Sequence, residues 1–357
     1  MDTSGEITMK VLYKSNGQLS VNRSINYTSI VIRTLARQGI SPSHILRGSW
    51  ISMDDLDDPD KHIALHQELK IIRSVSVSMP DPESGLNLGS QIHICTHGTL
   101  GIAAMLTDTF MSSMLLLMRY SHLASTYFQY RLSFDGDLAY LKMKELLDLG
   151  DLRRFICEIE FTAIHRMAMD VMGKKFPLKE MHFAYETPEH ASLYDNHFKC
   201  PVFFNAPEHM YVFDKEILMT PLDKMNPAVG KTYEKELGRL SKHLKDCETM
   251  RDKVYSELLY IKEGHGSMEK IARRLGTSTR TLRRQLAKEG TTFQNILSDI
   301  LKTKAIDLLT TTSISTEKLA TLLGYSDTSN FFHAFKKWTG ISPAEYRKAS
   351  QMEPDAP

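Results

Sequence analysis

Residues 322–348 read LLGYSDTSNFFHAFKKWTGISPAEYRK, and the order of apolar and polar positions in this stretch decides the architecture of the C-terminal third. Phe331 and Phe335 are four residues apart and share one side of a helix with Trp338, while Thr328, Ser329, Phe332 and Lys336 lie elsewhere around it. One face can anchor in a core while another displays short polar groups and positive charge. A buried amphipathic helix has the same spacing, so the stretch alone leaves both readings open.

An approximate internal repeat separates them. SMEKIARRLGTSTRTLRRQLAKEGTTFQNIL and STEKLATLLGYSDTSNFFHAFKKWTGISPAEY share the order Ser-x-Glu-Lys-aliphatic-Ala, Leu-Gly, a polar turn, a basic helix, Gly, then a Ser or Thr helix start. Each copy predicts a short helix carrying Ile271 and Ala272, or Leu319 and Ala320. A sharp change of direction follows at Gly276 or Gly324, and a second helix starts on a Ser or Asp cap. This is the pattern of a helix-turn-helix.

In the first copy Leu282 and Leu286 face the core, leaving Arg280, Arg283, Arg284 and Lys288 elsewhere on the surface, after Ser278 and Thr279 at the helix start. The second copy offers Thr328, Ser329, Phe332, His333 and Lys336 in corresponding places, with Lys337 beside them. Such helices fit the major groove, where Arg donates two hydrogen bonds to guanine and Lys neutralises phosphate. Between the copies, TFQNILSDILKTKAIDLLTTT predicts one helix of about twenty residues, roughly 30 Å long. It would hold the two recognition helices on one rigid body about one turn of DNA apart.

Charge supports a polyanionic partner. The whole chain of 357 residues carries a net charge of +1, but residues 251–348 hold 17 Lys and Arg against 10 Asp and Glu, and residues 1–250 hold 27 against 31. The C-terminal third is basic and the rest mildly acidic. Hydrophobic and charged fractions of 42% and 24% are those of a globular protein long enough for two domains. No basic segment followed by an apolar core opens the chain, and the apolar stretch MSSMLLLMRY is far short of a membrane span, which predicts a cytoplasmic protein. Cys95, Cys157, Cys200 and Cys247 are scattered without a Cys-x-x-Cys pair, which predicts reduced and mostly buried thiols.

Residues 1–226 predict an α+β domain of helices plus a small mixed sheet. A loose, polar start precedes SINYTSIVIRTLARQG, a helix ended by Gly39, and SPSHIL, with Ser41 as cap and Pro42 at the first helical position. DPDKHIALHQELKIIRSVSVSM and TLGIAAMLTDTFMSSMLLLMRYSHLA continue the helical reading. STYFQYRLSF and DLAYLKMKEL flank the turn Asp135-Gly136-Asp137 and predict a hairpin. DLRRFICEIEFTAIHRMAMDVMG predicts one long covering helix through Phe155, Ile159 and Ala163, ending at Gly173. KEMHFAYE, CPVFFN and HMYVFD are short strands around the helix-like PEHASLYDNHF. Residues 227–250 read as a helical linker, 251–349 as the all-α domain with two helix-turn-helix units, and 350–357 as a flexible tail.

Residues from about 251 to 349 resemble the DNA-binding domain of the AraC/XylS family of bacterial transcription regulators. The most specific part is the second copy, with Gly324-Tyr325, Phe331, Phe335, Lys336, Trp338, Gly340 and the closing Ser342-Pro343-x-x-Tyr346-Arg347. The resemblance implies base-facing roles for Arg280, Arg283 and Arg284, and for Thr328, Ser329, Phe332 and His333. His333 stands where many members carry Arg, which predicts weaker readout by the second helix. The upstream MHFAYETPEHASLYDNHFKCPVFFNAPEHMYVFDKEILMTPL is similar to the arabinose-binding-type domain of the ornithine-regulator-like branch, which implies a small-molecule effector and a homodimer.

The expected function is a sequence-specific, effector-responsive activator whose partners are promoter DNA and RNA polymerase, with no cofactor, no metal and no membrane. Met105, Met114, Tyr127 and Tyr130 could wall an effector pocket, with His122 or Arg131 as polar anchor. Three rivals have residues behind them. Extended QIHICTHG would project His93, Cys95 and His97 from one face, where they could hold Zn or Cu and make a metal- or redox-responsive regulator. A DNA-repair methyltransferase would need a reactive Cys, but Cys200 sits between Lys199 and Pro201 at the start of an apolar strand, and no enzyme is expected. A constitutive dimer without ligand is the third.

Overall fold

The computed structural model describes residues 10–14, 22–58, 61–79, 81–124, 127–222, 226–247, 249–259 and 266–351. Contacts divide the chain into two units, Met1–Cys247 and Glu248–Pro357. The first runs β1 (Lys10–Lys14), β2 (Asn22–Ser24), α1 (Asn26–Arg37), α2 (Pro42–Leu46), β3 (His62–Ala64), α3 (Leu65–Ser78), α4 (Ser84–Ser90), α5 (Gly98–Met105) and α6 (Phe110–Arg119). It continues through β4 (Phe128–Asp135), β5 (Leu138–Glu145), α7 (Arg153–Met172), β6 (Glu180–His182), α8 (Tyr194–Phe198), β7 (Val202–Phe203), β8 (His209–Asp214) and α9 (Pro227–Cys247). The second contains α10 (Met250–Leu259), α11 (Met268–Arg274), α12 (Thr279–Lys288), α13 (Phe293–Thr311), α14 (Thr316–Leu322), α15 (Thr328–Thr339) and α16 (Pro343–Gln351).

The main sheet of the first unit has the order β1-β4-β5-β8-β6-β7, antiparallel except for the parallel pair β6 and β7, so it is mixed as the sequence predicts. The β4–β5 hairpin closes at Asp135-Gly136-Asp137, with Gly136 at φ +55°. Helix α7 is buried along most of its length and ends at Gly173. Helix α4 lies so close to α7 that a methyl group at Gly89 would overlap Thr162 Oγ1 and the Ile159 carbonyl, and one at Gly85 would overlap Glu158. Both glycines are buried.

Two readings change and two become more definite. Residues 10–14, read as part of a loose start, form the edge strand β1. His62, Ile63 and Ala64, read as helical, alternate exposed, buried and half-buried and pair with β2, and α3 begins only where the Gln67 side chain accepts from Ala64 N at 2.9 Å. The Met-rich run is two helices, because Thr109 caps α6 by accepting from Ser112 N at 3.2 Å. Of the thiols, Cys157 and Cys200 are buried but Cys95 is exposed, and the Cys247 side chain lies outside the described residues.

The stretch 227–250, read as a helical linker, is helical as α9 over Pro227–Cys247. Within the first unit α9 lies on α5, Leu237 is buried, Gly230 approaches the Leu106 carbonyl, and Arg119 pairs with Glu234 at 2.9 Å. Helix α10 contributes Val254 and Leu258 to the second core. Residues 352–357, most of the expected tail, lie outside the described residues.

In the second unit one cluster serves both repeats: Ile271, Leu282 and Leu286 from the first and Leu319, Phe331 and Phe335 from the second are fully buried with Ile296, Ile300, Ala305 and Leu309 of α13. Arg347 of α16 donates to the carbonyls of Leu309 and Ile314, tying the last helix to the end of α13.

Replacing Gly89 with Ala tests the α4–α7 approach. The overlap should destabilise the first unit by about 1–3 kcal/mol, read in calorimetry as a lower melting transition for that unit with the second unit's transition unmoved.

Candidate nucleic-acid interface

Each recognition helix starts on a side-chain cap. Ser278 Oγ accepts from Thr281 N at 3.1 Å to open α12, and Asp327 Oδ1 accepts from Asn330 N at 2.8 Å to open α15. Before each cap the chain reverses at a left-handed glycine, Gly276 at φ +64° and Gly324 at φ +81°. Counting from the caps brings the two helices into register. Leu282 and Leu286 stand four and eight residues after Ser278, as Phe331 and Phe335 do after Asp327, and all four are fully buried.

The same count aligns the outward faces. Two, five and six residues after the cap stand Arg280, Arg283 and Arg284 on α12, and Ser329, Phe332 and His333 on α15, all exposed. Ala287 matches Lys336 and Lys288 matches Lys337, also exposed, while Thr279 and Thr328 are half-buried at the first helical positions. The first face therefore carries three guanidinium groups, and the second a hydroxyl, an aromatic ring, an imidazole and an ammonium. Among the described residues Arg280 and Arg284 enter no hydrogen bond or ion pair, and Arg283 touches only Met268 Sδ at 3.9 Å. Phe332 is 37% exposed and packs edge-on to His333, a large apolar side chain held out of the core on a polar face.

The first unit contains an apolar cavity of about 120 Å³ between α5, α6, α7 and the sheet. Of the residues expected there, Met114 and Tyr130 line it and Met105 does not. Tyr127 is buried with its ring 4.3 Å beneath the Arg23 guanidinium. His122 meets Ser241 Oγ of α9 at 2.8 Å, and Arg131 grips both Glu208 oxygens at 2.8 Å, so neither lines the cavity. The lining groups that sequence reading missed are Tyr27, His97 and Glu160. Burial pushes the Glu160 carboxyl up to about 8, against the pull of Arg23, and holds the His97 imidazole down to about 4. A Glu inside the apolar run ICEIEFTAI was the available signal.

The metal reading of His93, Cys95 and His97 fails on backbone geometry. Residues Ile94–His97 form a 3-10 turn rather than a strand, His93 Nδ1 lies 2.9 Å from Asp170, and His97 lines the cavity. Among the described residues only Glu145, Cys157 and His209 gather as an ion would require. There His209 Nδ1 accepts from Ala184 N at 3.1 Å, which leaves the proton on Nε2, the atom facing Glu145 at 3.1 Å. Metal at Nε2 would demand the opposite tautomer. Burial also raises the Cys157 thiol well above its usual range, and raises that of Cys200 to about 12, far from a reactive thiolate.

Two helix-turn-helix units on one core, with cap-aligned outward faces, define a bipartite DNA-binding protein. Residues 39–222 match the arabinose-binding domain of AraC transcription regulators, and residues 271–349 match a helix-turn-helix domain. The chain belongs to the AraC family and is a DNA-binding transcription regulator. It is similar to the ornithine utilization regulator of Pseudomonas aeruginosa, 29% identical over 325 residues, which cover 91% of this chain and 96% of that one. It also resembles the HTH-type transcriptional regulator VqsM of the same organism, at 28% identity over 75% of this chain and 84% of that one. The crystal structure of transcriptional regulator CdpR from Pseudomonas aeruginosa aligns over 90% of this chain and 98% of that one, with 22% identity and a TM-score of 0.46. The family and these relatives are regulators, not enzymes. No helix among the described residues is long and apolar enough to cross a membrane.

The histidine tautomer gives a direct check. Protein purified without chelator should hold well under one equivalent of Zn by elemental analysis, and added Zn should leave the melting temperature unchanged.

Proposed function

We propose that the chain is an effector-responsive activator that works as a cytoplasmic homodimer, laying α12 and α15 in successive major grooves of one promoter site and presenting itself to RNA polymerase. The observation that carries the DNA-contact reading is the register of the two outward faces counted from Ser278 and Asp327. In this reading Arg280, Arg283 and Arg284 read guanines, Ser329, Phe332 and His333 read the second groove, and Lys336 and Lys337 hold phosphates with the half-buried Thr279 and Thr328 and the cap Ser278 near the backbone. The second face is short of multivalent donors, so the first supplies most of the base discrimination.

The cavity in the first unit and the match to an arabinose-binding domain support effector binding. Ornithine, the compound in one relative's name, carries a carboxylate, and no Arg or Lys among the described residues lines this cavity, so that effector is a poor match. Because α9 packs within the first unit, the covalent join between the units falls at Cys247 and Glu248, and in this reading the signal passes along it. Coupling there need supply only about 1–3 kcal/mol between two arrangements.

Two experiments test this. Arg284→Ala should cost about 1–3 kcal/mol at one or two base positions in a binding-site selection, whereas Lys336→Ala should weaken all sites alike and lower the salt slope by about 1. Unchanged base preference in the Arg284 variant would remove that residue from the readout. A flexible Gly/Ser insertion after Cys247 should leave single-site DNA affinity intact and weaken effector-dependent transcription. A full response from the insertion variant would mean that coupling does not pass through this join.

A further inference from the structure

The cavity of the first unit has a chemical bias that goes beyond its being a pocket. Most of its walls are aliphatic and aromatic, from Leu100, Phe110, Met114, Ile164 and Val171, and Glu160 is the acidic side chain among the described lining residues. Glu160 is 9% exposed and, among the described residues, has no hydrogen-bond partner. Arg23 of β2 pairs with Glu68 of α3, both side chains fully buried, and its pull on Glu160 is outweighed by burial. A buried carboxyl without a hydrogen-bond partner must either keep its proton or meet a positive charge.

We propose that the cavity binds a small apolar amine, with the hydrocarbon against α5, α6 and α7 and the ammonium paired with Glu160. A carboxylate ligand would face Glu160 with no Arg or Lys among the described lining residues to receive it. A volume of about 120 Å³ limits the apolar part to roughly one six-membered ring or a short branched chain. The other titratable groups facing Glu160 are Tyr27 of α1, His97 of the turn before α5, Tyr127 and Tyr130 at the start of β4, Cys157 of α7 and Tyr211 of β8. Burial pushes the Tyr27, Tyr127 and Tyr211 phenols and the Cys157 thiol upward and holds the His97 imidazole down to about 4, so these stay neutral near pH 7 and do not compete for the ammonium.

Pairing requires the Glu160 proton to leave, and it goes to solvent. Burial holds that proton on up to about pH 8, so amine binding should release close to one proton per site at pH 7 and strengthen as pH rises toward 8. An alkylammonium keeps its own proton across this range.

The regulatory meaning of the proposal rests on the effector-responsive reading, but the binding chemistry does not. Calorimetric titration of the full chain with cyclohexylmethylamine, cyclohexylmethanol and cyclohexanecarboxylate separates them. The amine should bind at least about tenfold tighter than the alcohol, the carboxylate should not bind, and Glu160→Gln should erase the amine's advantage while keeping the alcohol. In the unsubstituted protein, amine affinity should rise at least about tenfold between pH 6 and pH 8, which tests the pairing even if the Gln variant does not fold. Equal binding of amine and alcohol, a flat pH profile, an advantage that survives in Glu160→Gln, or no binding of any probe would overturn the proposal. Amine binding as expected with operator affinity and transcription unchanged would uphold the site and overturn the effector reading instead.

Discussion

From Ile156 to Ala163 every residue of α7 is buried, so that stretch has no solvent face on which to leave its polar residues, and this constraint organises the first unit. Glu158, Glu160, Thr162 and His165 are all buried along α7. Each has a different local solution. Glu158 accepts from Tyr194 and meets His190 Nε2 at 3.0 Å, so α8 and the turn before it are fixed to α7 through one carboxylate. Thr162 turns its hydroxyl back to the Glu158 carbonyl, which leaves room for Gly89 of α4. His165 Nε2 lies 3.0 Å from the Phe176 carbonyl, past the end of the same helix. Glu160 alone has no such arrangement, and the cavity opens where it stands. The packing of α4, α8 and the sheet follows from where those side chains had to be satisfied.

The second unit shows the opposite arrangement, since the outward residues of α12 and α15 stay out of the core. Short helices of seven to twelve residues bury only one stripe each, and they hold their orientation because caps and left-handed glycines fix where each begins. Aromatic pairing completes the second stripe: Phe335 packs edge-on to Tyr346 and Phe331 to Tyr325, so the closing helix and the turn are locked to α15 by the residues that bury it. Phe332, next to one of them in sequence, points the other way.

Much of this was legible in the sequence because it rests on local rules. The repeat, the Ser and Asp caps of α12 and α15, the hairpin at Gly136 and the long helix ending at Gly173 are each set by a few neighbouring residues. What escaped depends on distant partners. His62, Ile63 and Ala64 became a strand because β2 lay beside them, and α9 became part of the first unit because Gly230 admits the Leu106 carbonyl. The outward residues of α12 and α15 could be named from spacing alone, whereas the cavity could not. Arg131 and His122 looked like anchors until Glu208 and Ser241 claimed them, and Glu160 looked like one more charge on a helix, although it stands in the buried stretch of α7 that lines the cavity.

Helix α13 belongs to both repeats at once, since its Ile296, Ile300, Ala305 and Leu309 pack into a single cluster with the buried faces of α12 and α15. The distance between α12 and α15 is therefore a property of the protein core and not of a hinge. If the two helices read successive grooves as proposed, this sets an asymmetric rule of descent. Base changes within either half of a site would alter affinity by degrees, but adding or losing one base pair between the halves would shift one helix by about 3.4 Å along the duplex and turn it about a tenth of a revolution. Under that reading, promoters recruited to this regulator can drift in letters far more freely than in length.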